Sequence, residues 1–191
     1  KELLNFCTVD LSAFYFDIRK DSLYCDPKNS EKRKSCILVL NIILESLIKW
    51  FAPILSFTTE EIFMLVAKNK KSIHLEKFID IPENFSNKKL EQKWKNLKKI
   101  RDICNMSIET KRASKEIGSS LEADLIITLD EKLLTETSDI DFSELCITSS
   151  AKVKKGDSDK IIVETIKAEG DKCPVCWKIS KDKCKRHFNE N

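Results

Sequence analysis

The hydrophobic period of the chain changes at Gly118, and that change narrows the possible folds more than any other feature. Before it, apolar residues recur every three to four positions, as on a helix that buries one face. After it, Leu121, Ala123, Leu125, Ile127 and Leu129 alternate with Glu122, Asp124, Ile126 and Thr128, the period of two of a half-buried strand. With 191 residues, either part is long enough to bury a core. The pattern predicts a mainly α protein in three parts: a helix bundle over 1–115, a small mixed α/β domain over 116–170 and a tail over 171–191.

Within the first part, Leu11, Phe14, Tyr15 and Ile18 lie at helical spacing until Cys25-Asp26-Pro27 breaks the pattern. Ser30 is placed to cap a second helix whose stripe is Ile37, Leu40, Leu44, Leu47 and Phe51, ended by Pro53. Thr58 and Glu61 have the spacing of a capping box for a third helix, to about Ala67. Ser86 is placed to cap the longest helix, about 87–115, with Leu90, Trp94, Leu97, Cys104 and Ile108 on one side. Beyond Gly118 the expectation is a strand, a short helix at about 131–136, and strands at about 146–153 and 161–167.

Composition excludes several chemistries. The three glycines are isolated, so no clustered Gly loop can cradle a phosphate. Two histidines, His74 and His187, are too few and too far apart for a His-based catalytic triad or zinc hydrolase. Glu60-Glu61 reads as helix N-terminal charge rather than a catalytic pair, and His74 as structural. No chemistry of its own is therefore expected. The longest apolar run, Cys36 to Leu44, is far short of the roughly 20 residues of a bilayer span. The opening Lys-Glu-Leu-Leu-Asn-Phe has neither Met nor a signal-peptide layout, as expected of a piece of a longer cytoplasmic protein.

Net charge is +3, but it is unevenly placed. Residues 1–85 balance at 12 basic and 12 acidic, 86–115 carry 10 and 3, 116–146 carry 1 and 9, and 171–191 carry 6 and 3. Two basic segments around an acidic one point to a polyanion met by selected faces, against the plainer reading of a Lys-rich, solvated surface.

In the tail, Cys173-Pro-Val-Cys176 is followed after seven residues by Cys184-Lys-Arg-His187. Two short turns delivering two ligands each suit tetrahedral zinc, with donors about 2.0–2.3 Å from the metal and no open position for a substrate. Such an ion is structural and can fold a tail almost without apolar residues. The alternative, a redox Cys-x-x-Cys, belongs at a strand-to-helix junction and not in a polar tail. The five other cysteines read as reduced core thiols. Beside the ligands, Trp177, Lys178, Lys181, Lys183, Lys185 and Arg186 form a cationic knob with one aromatic ring. Trp177 either packs on the knuckle or stacks on an unpaired base; the lysines either serve solubility or meet phosphates.

Several of these segments resemble one family. The run Leu11-Ser-Ala-Phe-Tyr-Phe-Asp-Ile-Arg-Lys-Asp-Ser-Leu-Tyr24 is similar to the start of the anticodon-binding bundle of bacterial-type isoleucyl-tRNA synthetases. Trp50-Phe-Ala-Pro-Ile-Leu-Ser-Phe-Thr-Thr-Glu-Glu-Ile62, Ile117-Gly-Ser-Ser-Leu-Glu-Ala123 and Lys172-Cys-Pro-Val-Cys-Trp177 resemble later segments in the same order. The resemblance implies a class I ligase that joins isoleucine to its tRNA with ATP and Mg²⁺. It also implies that this chain is the C-terminal part, inactive alone, because the His-Ile-Gly-His and Lys-Met-Ser-Lys signatures, the Rossmann core and the editing domain are absent. The family's zinc site is usually four Cys with a longer loop between its turns. Here Cys173, Cys176 and Cys184 carry over, and His187 stands fourth. The implied partners are the anticodon stem-loop of tRNA(Ile) and the N-terminal catalytic portion of the same enzyme, with no membrane and a monomeric state. Lys95, Lys98, Lys99, Arg101, Lys185 and Arg186 are the expected phosphate contacts, with Trp177 beside them.

Overall fold

A computed structural model describes residues 1–67 and 71–188. It is mainly α, a helix bundle followed by a small mixed sheet and a Cys/His tail. Among the described residues no helix is long and apolar enough to cross a membrane.

The chain is helical from its start: α1 (Glu2–Asn5), a π-helical stretch π1 (Phe6–Phe16) and α2 (Asp17–Cys25) follow without a break. Next come α3 (Glu31–Phe51), α4 (Ser56–Val66) and α5 (Lys88–Ala113). Past Gly118 lie β1 (Ala123–Leu129), α6 (Glu131–Glu136), α7 (Phe142–Leu145), β2 (Ser150–Lys155) and β3 (Ile162–Lys167). The tail holds the two-residue strands β4 (Asp171–Lys172) and β5 (Ile179–Ser180).

Two compact units emerge, one of residues 1–21 and 87–191, the other of 22–86. Within the first unit, the buried Leu97, Ile100, Cys104 and Ile108 of helix α5 share one core with Ala123, Leu125, Ile127 and Leu129 of β1. Ile18 of α2, and Phe142, Leu145 and Cys146 around α7, complete that core. Phe14 and Trp94 meet edge to face at its rim, with ring centroids 6.0 Å apart.

Strand β1 lies in the middle of the sheet, in the order β2-β1-β3. It runs parallel to β2, from Asp124 opposite Ser150 to Leu129 opposite Lys155, and antiparallel to β3, from Ala123 opposite Lys167 to Thr128 opposite Ile162. Its odd-numbered residues are buried and its even-numbered ones half-buried, as the alternation predicts. The expected strand at 146–153 starts later: Phe142–Leu145 is helical, capped by the Asp141 carboxylate accepting from the Ser143 amide at 2.8 Å.

In the second unit, Ile48, Ala52, Phe63 and Ile73 form the core. Of the expected α3 stripe, Leu40, Leu47 and Phe51 are half-buried and Ile37 and Leu44 exposed, whereas the fully buried apolar positions are Cys36 and Ile48. This helix is apolar on more than one face, so periodicity alone does not select the buried one. The Thr58–Glu61 capping box does not form. Helix α4 begins at Ser56, and the Thr59 hydroxyl instead donates to the Leu55 carbonyl at 2.9 Å. Glu60 accepts from the Ser72 hydroxyl and the Ile73 amide, each at 2.9 Å, and so holds Ser72 and Ile73 against α4. Other caps hold. Ser30 accepts from the Arg33 amide, Asp130 from that of Leu133, and Asn87, rather than Ser86, caps α5 through the Leu90 amide.

Candidate metal centre and nucleic-acid face

Strands β4 and β5 form a two-stranded ribbon, Asp171 opposite Ser180 and Lys172 opposite Ile179. The turn between them carries Cys173 and Cys176. It is closed by the Trp177 amide donating to the Cys173 carbonyl, and the Cys173 amide to the Lys178 carbonyl, both at 2.9 Å. The second turn is closed by the His187 and Phe188 amides donating to the Cys184 carbonyl at 3.1 and 2.9 Å. Gly170, at φ +122°, lets the ribbon begin: a Cβ there would sit 2.2 Å from the backbone of Ser180. Gly170→Ala is therefore expected to cost the folded tail more than about 2 kcal/mol, read as faster amide exchange at Lys172 and Ile179 with the main sheet unchanged.

The four side chains converge. The donor atoms of Cys173, Cys176, Cys184 and His187 lie within 4.8 Å of one another. His187 Nδ1 is 3.4 Å from the sulfurs of both Cys173 and Cys184, and the Cys176 and Cys184 sulfurs are 3.9 Å apart. A tetrahedron built on zinc–ligand distances of about 2.0–2.3 Å has edges of roughly 3.6 Å (S to N) and 3.8 Å (S to S). The three separations just given lie within about 0.2 Å of those edges. Cys173 and Cys176 are buried, Cys184 and His187 half-buried.

The electrostatics also favour a cation. Burial pushes the Cys173 thiol upward, but the Cys176 and Val175 amides and the His187 ring outweigh it and bring the group down to about 6. Burial, with the neighbouring Cys173 and Cys184 sulfurs, pushes Cys176 up to about 12. Three thiolates packed this closely repel one another, and a bound divalent ion removes the conflict.

The tail docks on the α/β part at named points. Lys178 Nζ donates to Ser143 Oγ at 3.0 Å, and the Ile179 amide to Ser149 Oγ at 2.6 Å. Arg186 forms an ion pair with Asp21 on α2. Neither Ser143, Ser149 nor Asp21 carries a local sequence signal; each becomes visible only through these long-range contacts.

The basic residues expected at phosphates divide sharply. Arg101 is largely buried: its Nε donates to the Leu145 carbonyl at 2.9 Å, its Nη2 pairs with Asp17 at 3.2 Å, and its guanidinium lies over Phe14. Arg186 is likewise held by Asp21. Lys98 pairs with Asp10 at 2.9 Å and Lys95 with Glu91 at 2.8 Å, both partly exposed. Lys99 and Lys185 stand exposed. Trp177 is 58% exposed, its backbone at φ +63° and Lys172 Nζ 5.3 Å from the ring centroid, so it is not packed away on the knuckle.

Comparison with known proteins now bears on this arrangement. The family model described as the anticodon-binding domain of tRNA ligase matches residues 1–127. The chain belongs to that family. It is 71% identical over 187 residues to an isoleucine–tRNA ligase of Pelagibacter ubique, covering 98% of this chain and 21% of the relative. It is 42% identical over 193 residues to that of Agrobacterium fabrum, covering 95% and 20%. The isoleucine–tRNA ligase of Bradyrhizobium diazoefficiens is 40% identical over 190 residues, with 93% and 19% covered. This anticodon-binding chain thus spans about a fifth of the length of the relatives it matches; each match extends beyond the residues of the family model, and the one covering 98% of the chain takes in the Cys/His tail.

Proposed function

We propose that the chain is the C-terminal, tRNA-anticodon-binding part of an isoleucine–tRNA ligase, holding the anticodon stem-loop of tRNA(Ile) while catalysis proceeds elsewhere on the parent polypeptide. The observation that carries this reading is the 71% identity over nearly the whole chain. In this reading ATP and Mg²⁺ act only in the remainder of the enzyme, the protein works as a cytoplasmic monomer, and this part alone is inactive. Cys173, Cys176, Cys184 and His187 hold one structural zinc ion, which fixes the tail and takes no part in chemistry.

The exposed Lys99 and Lys185, helped by the partly exposed Lys95 and Lys98, supply phosphate contacts, and Trp177 offers a ring for an unstacked base. Arg101 and Arg186 serve mainly to hold the fold. The test is a gel-shift competition of tRNA(Ile) against bulk tRNA at several salt concentrations. Cognate tRNA is expected to compete better. A double Lys99→Gln, Lys185→Gln variant is expected to bind several-fold more weakly, with a salt slope shallower by about 1.5. Equal competition by bulk RNA would point instead to an unselective nucleic-acid module. Absent or salt-insensitive binding would point to a helical scaffold.

A further inference from the structure

We propose that Asp21 is a positioning residue for the metal centre, acting through Arg186, so that loading of the Cys/His cluster and docking of the tail on α2 form one linked equilibrium. The inference rests on reading that cluster as a metal site.

The two ligand-bearing turns are anchored separately. The turn with Cys173 and Cys176 continues into β5, which Ser143 and Ser149 hold, and the Ser149 hydroxyl in turn donates to the Leu121 carbonyl at 2.5 Å. The turn with Cys184 and His187 reaches the body through Arg186, which lies directly before the imidazole ligand. One guanidinium nitrogen donates to the Asp21 carboxylate and the other to the Asp21 carbonyl at 3.4 Å. Both side chains are more than two-thirds shielded from solvent. A planar fork engaged at two oxygens fixes the direction of its own backbone, and here that backbone carries a ligand.

An ion that joins the two turns must otherwise meet the cost of ordering both. Where Arg186 already holds the second turn in place, that cost falls and affinity rises. Linkage makes the effect reciprocal: a loaded site presents Arg186 to Asp21 and so steadies α2. The same helix face carries Asp17, one turn earlier, which holds Arg101 of α5. Metal occupancy is thereby conveyed to the helix bearing Lys95, Lys98 and Lys99.

The experiment is zinc titration of the full 191-residue chain against a chromogenic chelator, for wild type, Asp21→Asn, Arg186→Gln, the double variant and Lys154→Gln. Asp21→Asn and Arg186→Gln are each expected to weaken zinc binding about tenfold. The double variant should be no weaker than either single, because both remove the same contact. Lys154→Gln, an exposed charge on β2 outside the tail, should match wild type. Arg186→Lys, which keeps the charge without the fork, should fall between and guards against a folding defect. Amide exchange in α2 should slow on adding zinc to wild type and not change in Arg186→Gln. Single variants within twofold of wild type, or strictly additive losses, overturn the proposal. No zinc uptake by wild type overturns the metal reading beneath it, a distinct failure.

Discussion

Chelation is expected to strip about one zinc ion per chain and to unfold residues 171–188 while the β2-β1-β3 sheet keeps its amide protection. The tail has little else to hold it: Cys173 and Cys176 are buried, but Val175, Trp177 and Phe188 are exposed. Structural zinc in finger-sized peptides contributes roughly 10–16 kcal/mol of apparent binding free energy, far more than the few tail contacts with Ser143, Ser149 and Asp21 can replace. Cys184→Ala should retain no zinc after dialysis against a weak chelator. The pH dependence has a definite sign. Zinc binds thiolates, and at pH 7 the metal-free chain still carries the Cys176 proton, because that thiol is pushed up to about 12. Loading therefore releases protons, and affinity falls as pH falls, with a further loss below about 6 where Cys173 also protonates. Proton release measured in two buffers of different ionisation enthalpy checks this; zinc affinity unchanged between pH 8 and 5 contradicts it.

The second large effect lies in the shared core. Leu97 on α5 and Leu125 on β1 are almost wholly buried in the same cluster. Replacing either with Ala is expected to cost about 2–5 kcal/mol. Because one core serves both elements, each substitution should lower the protection of α5 and β1 amides together, in a single urea transition. Loss confined to α5 after Leu97→Ala, with β1 unaffected, would show that helix and sheet fold independently.

Much of this architecture was legible wherever the signal was local. The alternation from Leu121 to Leu129, the cap at Ser30 and the Cys/His spacing each depend on neighbours a few residues apart, and each appears in the fold. The Thr58–Glu61 pattern was also local, but there a competing demand prevailed: helix α4 starts earlier and leaves the motif inside it. What stayed hidden is long-range. Charge counts could not separate Arg101 and Arg186, engaged by Asp17 and Asp21, from Lys99 and Lys185, which face solvent. Nor could a helical stripe on α5 reveal whether it would meet other helices or a sheet, since both accept the same apolar face.

The central place of β1 bears on how this polypeptide can be divided. The family match ends at residue 127, two positions before that strand does. A cut there would remove both flanking strands at once and leave two rows of unsatisfied backbone donors and acceptors on a greasy ribbon, an invitation to intermolecular zippering. A piece that folds by itself is therefore expected to need the chain to beyond Lys167, so that β1 keeps both of its neighbours.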